Sequence, residues 1–265
     1  MSPSQQSGSA SRDGAASEAG TSRHSALVTG ATRGIGAAIT RHLARNGWDL
    51  TLVGRDAPRL IEIQREIQSF GTQAVVVAVD LAQEGAVRQA VTAHHEAYGS
   101  MNALILAAGV GSAGPIEGYP LRLFDKQVAV NLRAPFEMIG SALPLLRDGA
   151  HRHPEQGGRM IALASIEGLF PDAGLAAYAA TKAALLSLVA SVNLEEGPRG
   201  VTATAISPAF VSTGMSEWVT DQIHAEDMIP VEDIVKVVEL ALSLSAQAVL
   251  PNIVMNRAGT SPYQA

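Results

Sequence analysis

Between Ser165 and Lys182 the chain reads S-I-E-G-L-F-P-D-A-G-L-A-A-Y-A-A-T-K, placing a hydroxyl at Ser165, a phenol at Tyr178 and an amine at Lys182. The alanines around the last two favour helix, and helical residues four apart lie one above the other on the same face. Tyr178 and Lys182 are therefore expected side by side. A free phenol titrates near ~10 and exchanges protons poorly at neutral pH. An adjacent ammonium favours the phenolate and draws that pKa toward the working range. Ser165 closes an apolar run, Met160 to Ala164, that reads as a buried strand. Its hydroxyl would then face the same carbonyl oxygen as the phenol. A tyrosine and a lysine fall four apart by chance in many chains. The weight therefore rests on the elements that must hold these groups.

The chain has 265 residues, enough for one domain with a large core. With 19 basic and 25 acidic residues its formal charge is −6, which argues against nucleic acid as a partner. It contains no cysteine, which excludes disulfides, thiolate metal ligands and cysteine nucleophiles. No apolar run reaches the ~18–20 residues that span a bilayer, and the amino terminus lacks the apolar core of a secretory signal. A cytoplasmic protein with no membrane partner is expected. Residues 1–23, rich in Ser, Gly and Ala, read as a disordered tail, and residues 24–265 as one dinucleotide-binding domain.

Order is expected to begin with the apolar run Ala26-Leu27-Val28, followed at once by Thr29-Gly30-Ala31-Thr32-Arg33-Gly34-Ile35-Gly36. Ala37 to Asn46 then suits a helix that Gly47 stops. A strand, a glycine-rich turn and a helix form the first unit of a nucleotide-binding α/β fold. The turn directs backbone N–H groups and a helix N-terminus at a pyrophosphate, and glycine is needed where a side chain would block that approach. Further strands are expected over residues 48–53, 73–79, 103–107, 159–164, 201–206 and 253–256. Helices are expected over 58–69 (capped by Asp56), 83–98, 121–147 (bent or ended at Pro135 and Pro144), 174–196 and 231–245. Continuous apolar strands alternating with helices predict α/β architecture: a single Rossmann-type, doubly wound parallel sheet of about seven strands, helices on both faces.

In such folds an acidic residue ending the second strand holds the ribose 2′-hydroxyl of NAD. Here that place holds Gly54-Arg55. Glycine leaves room and arginine offers a forked cation suited to a 2′-phosphate, with Arg33 as a second cation. NADP(H) is therefore the expected cofactor. Asp80, ending the third strand, is placed either to accept from the adenine amino group or to cap a helix.

These residues resemble the short-chain dehydrogenase/reductase family over about residues 24–259. The resemblance rests on Thr29-Gly30-x-x-x-Gly34-x-Gly36, Asp80-Leu81, Asn131 in V-N-L, Ser165, Tyr178-x-x-x-Lys182, and Pro208 followed by Val211 and Thr213. It implies that Tyr178 donates a proton to the carbonyl oxygen and Lys182 lowers its pKa and binds the nicotinamide ribose. By the same resemblance Ser165 polarises the carbonyl, and Asn131 holds a water connecting Lys182 to solvent. Ala108 and Gly109 are implied to flank the cofactor, and Pro208, Val211 and Thr213 to hold the nicotinamide carboxamide. Two positions depart from the pattern. The fourth strand ends in Leu106-Ala107-Ala108-Gly109 where Asn-Asn-Ala-Gly is usual, which removes an amide that braces the cofactor loops. Pro208-Ala209 replaces Pro-Gly.

The branch most resembled is that of 3-oxoacyl-thioester reductases, so a ketone or acyl-thioester substrate is expected. NAD-dependent alcohol oxidation and catalytically idle dinucleotide sensing are the alternatives. Ser212 to Ile229 reads as a segment over the substrate, with Met215, Trp218 and Val219 as its apolar side chains. Glu167 and Phe170 are expected at the pocket mouth. His151-Arg152-His153 reads as a solvated loop, and His94-His95 is given no role. The resemblance, with the alanine-rich helix over 174–196, implies a homodimer or homotetramer.

Overall fold

In a computed structural model, residues 23–216, 221 and 223–261 are described. The expected tail up to residue 22 lies outside them, as do Trp218 and Val219. Arg23 already donates a hydrogen bond to the carbonyl of Gly71.

Seven parallel strands form one sheet in the order β3-β2-β1-β4-β5-β6-β7. They are β1 (Ser25–Thr29), β2 (Asp49–Gly54), β3 (Ala74–Ala78), β4 (Ala103–Leu106), β5 (Gly158–Leu163), β6 (Val201–Pro208) and β7 (Asn252–Met255). The helices are α1 (Gly34–Arg45), α2 (Ala57–Gln68), α3 (Ala86–Tyr98), α4 (Leu121–Val128), α5 (Ala134–Arg152), α6 (Ala176–Glu196) and α7 (Val231–Ser243).

Because strand side chains alternate between faces, each central strand supplies two cores. Ala26, Val28, Leu50, Leu52, Ile105 and Ile161 enter a cluster with residues of α1, α2 and α7. Leu27, Val53, Leu104, Leu106, Met160 and Ala162 enter the opposite cluster with residues of α3, α5 and α6. Each fully buried Leu or Ile contributes about 2 kcal/mol by leaving water. This two-sided burial explains why the strands read as unbroken apolar runs. The strand order reverses between β1 and β4, which opens a crevice at their carboxyl ends, where such folds bind ligands.

Asp56 caps α2 as expected, its carboxylate accepting from the Arg59 N–H. Asp80 does not cap a helix: α3 starts at Ala86 behind Gly85, and Asp80 instead accepts from the Ala82 N–H within a turn. The long helix expected over 121–147 runs on to Arg152 and is interrupted by a π-helical turn, Ala129–Arg133. His151 and Arg152 therefore lie in the last helical turn rather than in a loop, and the His153 ring stacks on His24 at 4.3 Å. Over Ala176–Arg199 the chain is long and apolar enough to cross a membrane by length and composition alone. In the fold, however, Ala179, Leu185, Val189 and Val192 of this stretch are buried, the last three in the core beside the sheet.

Candidate active site

Two adjoining cavities occupy the crevice. The one beside the glycine turn has a volume of about 200 Å³ and is lined by Gly30, Thr32, Arg33, Gly34, Ile35, Gly36, Arg55, Asp80, Leu81, Ala108, Gly109 and Thr213. The other, about 440 Å³, is lined by Ser165, Glu167, Tyr178, Lys182, Pro208, Val211, Met215 and their neighbours. Ile35, Ala107, Gly109, Thr213 and Met215 border both. The expected nucleotide residues thus share one continuous cleft with Ser165, Tyr178 and Lys182, while Asn131 lines neither cavity. Gly54 lines the first cavity as expected, and so do Val79, Val110 and Val130, which were not expected there.

The first cavity fits a dinucleotide. A Cβ on Gly36 would come within 2.3 Å of the Gly30 carbonyl oxygen, so only glycine lets α1 approach the turn after β1. A Cβ on Gly54 would lie 2.8 Å from Thr32 Cγ2, which keeps the end of β2 bare where an acidic side chain would otherwise stand. The Arg33 and Arg55 side chains border this space, and Arg55 lies 3.9 Å from the Asp80 carboxylate.

The loop after β4 is held to β1 by Thr29. The Thr29 hydroxyl accepts from the N–H groups of Ala107 (3.0 Å) and Ala108 (3.1 Å) and donates to the Ile105 carbonyl (3.2 Å). Leu106 itself is buried in the core. Ala209 donates its N–H to the Met255 carbonyl at 2.8 Å, tying the loop after β6 to β7.

Ser165 ends the segment after β5 and opens a 3₁₀ turn, Ile166–Gly168, where its oxygen accepts from the Glu167 N–H at 3.2 Å. That leaves the hydroxyl proton to be donated, and the hydroxyl favours the Tyr178 phenolate, acting against burial. Tyr178 and Lys182 share one face of α6, the Lys182 amine 5.5 Å from the centre of the Tyr178 ring. The amine donates to the Leu163 carbonyl at 2.6 Å. The expected phenol acidification is absent: burial pushes Tyr178 up to about 12, with the Ser165 hydroxyl working against it and the Glu167 charge adding to it. Burial also brings Lys182 down to about 8. Desolvation outweighs the attraction of an ammonium at this distance.

Asn131 stands behind the cleft, in the π-helical turn. Its amide oxygen accepts from the Val110 N–H at 2.9 Å, while its amide nitrogen donates to the Val110 carbonyl at 2.8 Å and to Thr181 Oγ1 at 3.1 Å. Pro135, four residues on, has no N–H to give the Asn131 carbonyl. A Cβ on Gly109 would lie 3.7 Å from both Asn131 Oδ1 and the Lys182 amine, so the two groups converge there.

Glu167 lines the larger cavity as expected, but Phe170 packs on the core cluster that contains α1 and α7. The segment from Ser212 to Ile229 is tied at its base by a bridge between Val211 and Ile229, and Met215 reaches both cavities.

A parallel sheet in this order, with Ser165, Tyr178 and Lys182 at its carboxyl edge, defines an α/β oxidoreductase acting on alcohol or ketone groups with a nicotinamide dinucleotide. The chain belongs to the short-chain dehydrogenase family, whose sequence profile matches residues 24–224. It is 33% identical over 210 residues to the 2-(R)-hydroxypropyl-CoM dehydrogenase of Xanthobacter autotrophicus, covering 77% of this chain and 81% of that one. It is 34% identical over 197 residues to the L-rhamnose 1-dehydrogenase (NAD(P)(+)) of Azotobacter vinelandii, covering 72% and 74%. A short chain dehydrogenase of Burkholderia cenocepacia, solved in complex with NADP, superposes with a TM-score of 0.78 at 28% identity, covering 90% of this chain and 98% of that one.

Proposed function

We propose that this protein is an NADP(H)-dependent reductase that converts a ketone, in the class of 3-oxoacyl thioesters and related carbonyl compounds, to a secondary alcohol. The observation that carries the reading is the meeting of Ser165, Tyr178 and Lys182 at the wall of a 440 Å³ cavity continuous with the glycine-lined cleft. When bound, the cofactor supplies the hydride. Gly30, Gly34 and Gly36 would cradle its pyrophosphate, Arg33 and Arg55 a 2′-phosphate, Asp80 and Leu81 the adenine side, and Pro208, Val211 and Thr213 the carboxamide.

The chain's own part is to take up the charge that develops on the carbonyl oxygen. The Ser165 and Tyr178 hydroxyls are preorganised to donate to it, the kind of stabilisation that dominates such reactions. The Tyr178 proton passes to the oxygen as an O–H bond forms, leaving a tyrosinate. A phenol pushed up to about 12 makes that tyrosinate a strong base that must be refilled. Lys182, brought down to about 8, remains mostly cationic at neutral pH and stabilises it. Because the Asn131 amide is committed to Val110 and Thr181, the water that refills Lys182 falls to the Asn131 carbonyl, which Pro135 leaves without its helical donor.

NAD-linked alcohol oxidation is a second reading, favoured by the Asp80 carboxylate 3.9 Å from Arg55, which offsets part of that cation's charge. Intact Tyr178 and Lys182 speak against an idle sensor. Exposed Leu121, Phe124, Phe136 and Leu194 on α4, α5 and α6 support a homodimer or homotetramer, and the reading places the enzyme in the cytoplasm. Steady-state reduction of an acetoacetyl thioester and of simple ketones is the test, run with each cofactor. A preference for NADPH is expected, together with a loss of about 10²–10⁴-fold in kcat for Tyr178→Phe. A Tyr178→Phe enzyme with full activity would overturn the mechanism, and a preference for NADH would overturn the cofactor assignment.

A further inference from the structure

Part of the larger cavity's wall is the segment after β4, which contributes Gly109, Gly111, Ser112 and Ala113. This segment is fastened at three points. Asn131 holds Val110 by both of its backbone groups. The Gly114 N–H donates to the Gly174 carbonyl at 2.8 Å, which joins the segment to the loop before α6. Between these two ties, half-buried Ser112 is gripped by polar side chains. Its Oγ lies 2.6 Å from the Tyr119 hydroxyl, and the Gln127 amide nitrogen donates to Ser112 Oγ at 3.2 Å and to the Tyr119 hydroxyl at 2.8 Å. Gln127 is 1% exposed and so approaches from inside the fold. The Tyr119 ring is packed on Gly114, where a Cβ would come within 3.1 Å of it.

The protons decide what this grip leaves over. The Gln127 amide has two hydrogens, and each oxygen receives one. The Tyr119 phenol has one, with two acceptors in range: Ser112 Oγ at 2.6 Å and the Ser112 carbonyl at 3.1 Å. The shorter contact takes it. Ser112 Oγ then has both lone pairs filled, and its own proton is what it still has to give. With Tyr119 and Gln127 on one side of the oxygen, that proton turns to the other side, toward the cavity that Ser112 lines.

We propose that Ser112 is a specificity residue whose hydroxyl donates a hydrogen bond to a second carbonyl of the substrate, so that the enzyme holds a 3-oxoacyl thioester by both of its oxygens. The inference rests on the reductase reading and deepens it, assigning a residue to the thioester half of that substrate. Placement supports it. Gly111 packs against the Tyr178 ring, where a Cβ would lie 3.4 Å from Cδ2, and Ser112 is the next residue, about 3.8 Å along the chain. A ketone oxygen held by Tyr178 therefore brings a carbonyl two carbons away toward Ser112. The other side-chain donors of the wall have partners of their own. Ser165 and Tyr178 serve the ketone, and Thr213 the cofactor carboxamide. Ser216 gives its proton to the Val211 carbonyl at 2.8 Å, and the Lys182 amine donates to the Leu163 carbonyl and stabilises the tyrosinate. A simple ketone offers the Ser112 proton no second oxygen.

The test is a pair of substrates, the acetoacetyl thioester of N-acetylcysteamine and 2-pentanone, reduced with NADPH by the wild type, Ser112→Ala and Tyr119→Phe. Ser112→Ala is expected to lower the ratio of kcat/KM for the thioester to that for the ketone by about three- to tenfold, the effect of one neutral hydrogen bond. The change is expected in KM for the thioester rather than in kcat. Tyr119→Phe keeps the ring on Gly114 and removes the proton that fixes the Ser112 hydroxyl, and is expected to lower the same ratio by about two- to threefold. Losses that are equal on the two substrates in both variants would mean that these residues merely support the loop, and would overturn the proposal. If the thioester alone is turned over, its KM in Ser112→Ala must still rise by the stated factor, and an unchanged KM overturns the proposal. So does a wild type that reduces 2-pentanone and not the thioester, which leaves ketone reduction standing. A wild type that reduces neither overturns both readings together.

Discussion

Replacing His94 by glutamine is expected to remove a pH dependence from the stability of the fold. The His94 ring is fully buried beneath β2 and the end of α3. Its Nδ1 lies 2.9 Å from Thr51 Oγ1, and its Nε2 lies 3.1 Å from the Ser100 carbonyl and 3.4 Å from Ser25 Oγ. A neutral ring fits this setting: Nε2–H donates to the carbonyl and Nδ1 accepts from the threonine hydroxyl. Burial holds its pKa down at about 4, from 6.5, against the weaker opposing effect of the Ser100 bond. The unfolded chain therefore binds a proton between those values that the folded chain refuses. Stability is greatest above pH 6.5 and falls by about 1.4 kcal/mol per pH unit as pH drops toward 4, about 3 kcal/mol in all. Two other groups titrate nearby. His24, also lowered by burial, acts in the same direction. Glu167, raised to about 7, acts in the opposite one, its contribution lost as pH rises through that value. Subtracting the variant from the wild type cancels both, provided the sites act independently. Urea unfolding followed from pH 7.5 to 5 measures the difference, which should shrink by about 2 kcal/mol over that range. Parallel curves for the two proteins, or a wild type whose advantage grows in acid, would refute the argument.

Gly36→Ala places a Cβ against the Gly30 carbonyl, so α1 must shift. A loss of about 1–3 kcal/mol in stability is expected, together with weaker nucleotide binding in a fluorescence titration with NADPH. Arg159 enters the sheet's lower edge nearly buried. There its guanidinium donates to Thr202 Oγ1 and to the carbonyls of Leu244, Ser245 and Ala248. Arg159→Met strands those carbonyls and should cost about 3 kcal/mol; thermal unfolding checks it, and an unchanged Tm would show that water reaches them.

The central strands were legible because both faces of a doubly wound sheet are buried, which leaves continuous apolar runs such as Ala103 to Leu106 and Met160 to Ala164. The glycine turn and the Tyr178–Lys182 pair were legible because their chemistry depends on local spacing. What escaped was tertiary. Thr29 reaches from β1 across to the loop after β4, a partnership that no local pattern contains. The phenol's raised pKa follows from desolvation, which sequence spacing does not report. One miss had a visible signal. His94 follows Val87, Ala90 and Val91 at helical spacing, so it falls on the buried face of α3, where a lone histidine serves the core. Pro135 was expected to bend or end its helix, and the π-helical turn Ala129–Arg133 lies just before it.

Asn131 gives Val110 what a neighbouring strand would give, an acceptor for its N–H and a donor for its carbonyl. A side-chain amide here imitates one peptide unit, so the segment after β4 is paired by a helix rather than by a strand. Strand pairing opens rung by rung from a frayed end, whereas this rung opens when the Asn131 side chain, or the π-helical turn that carries it, moves. The exchange of a single backbone amide proton, that of Val110, thereby reports whether helix, loop and sheet are assembled around the reacting groups. The site carries its own internal gauge of readiness, readable without substrate or turnover.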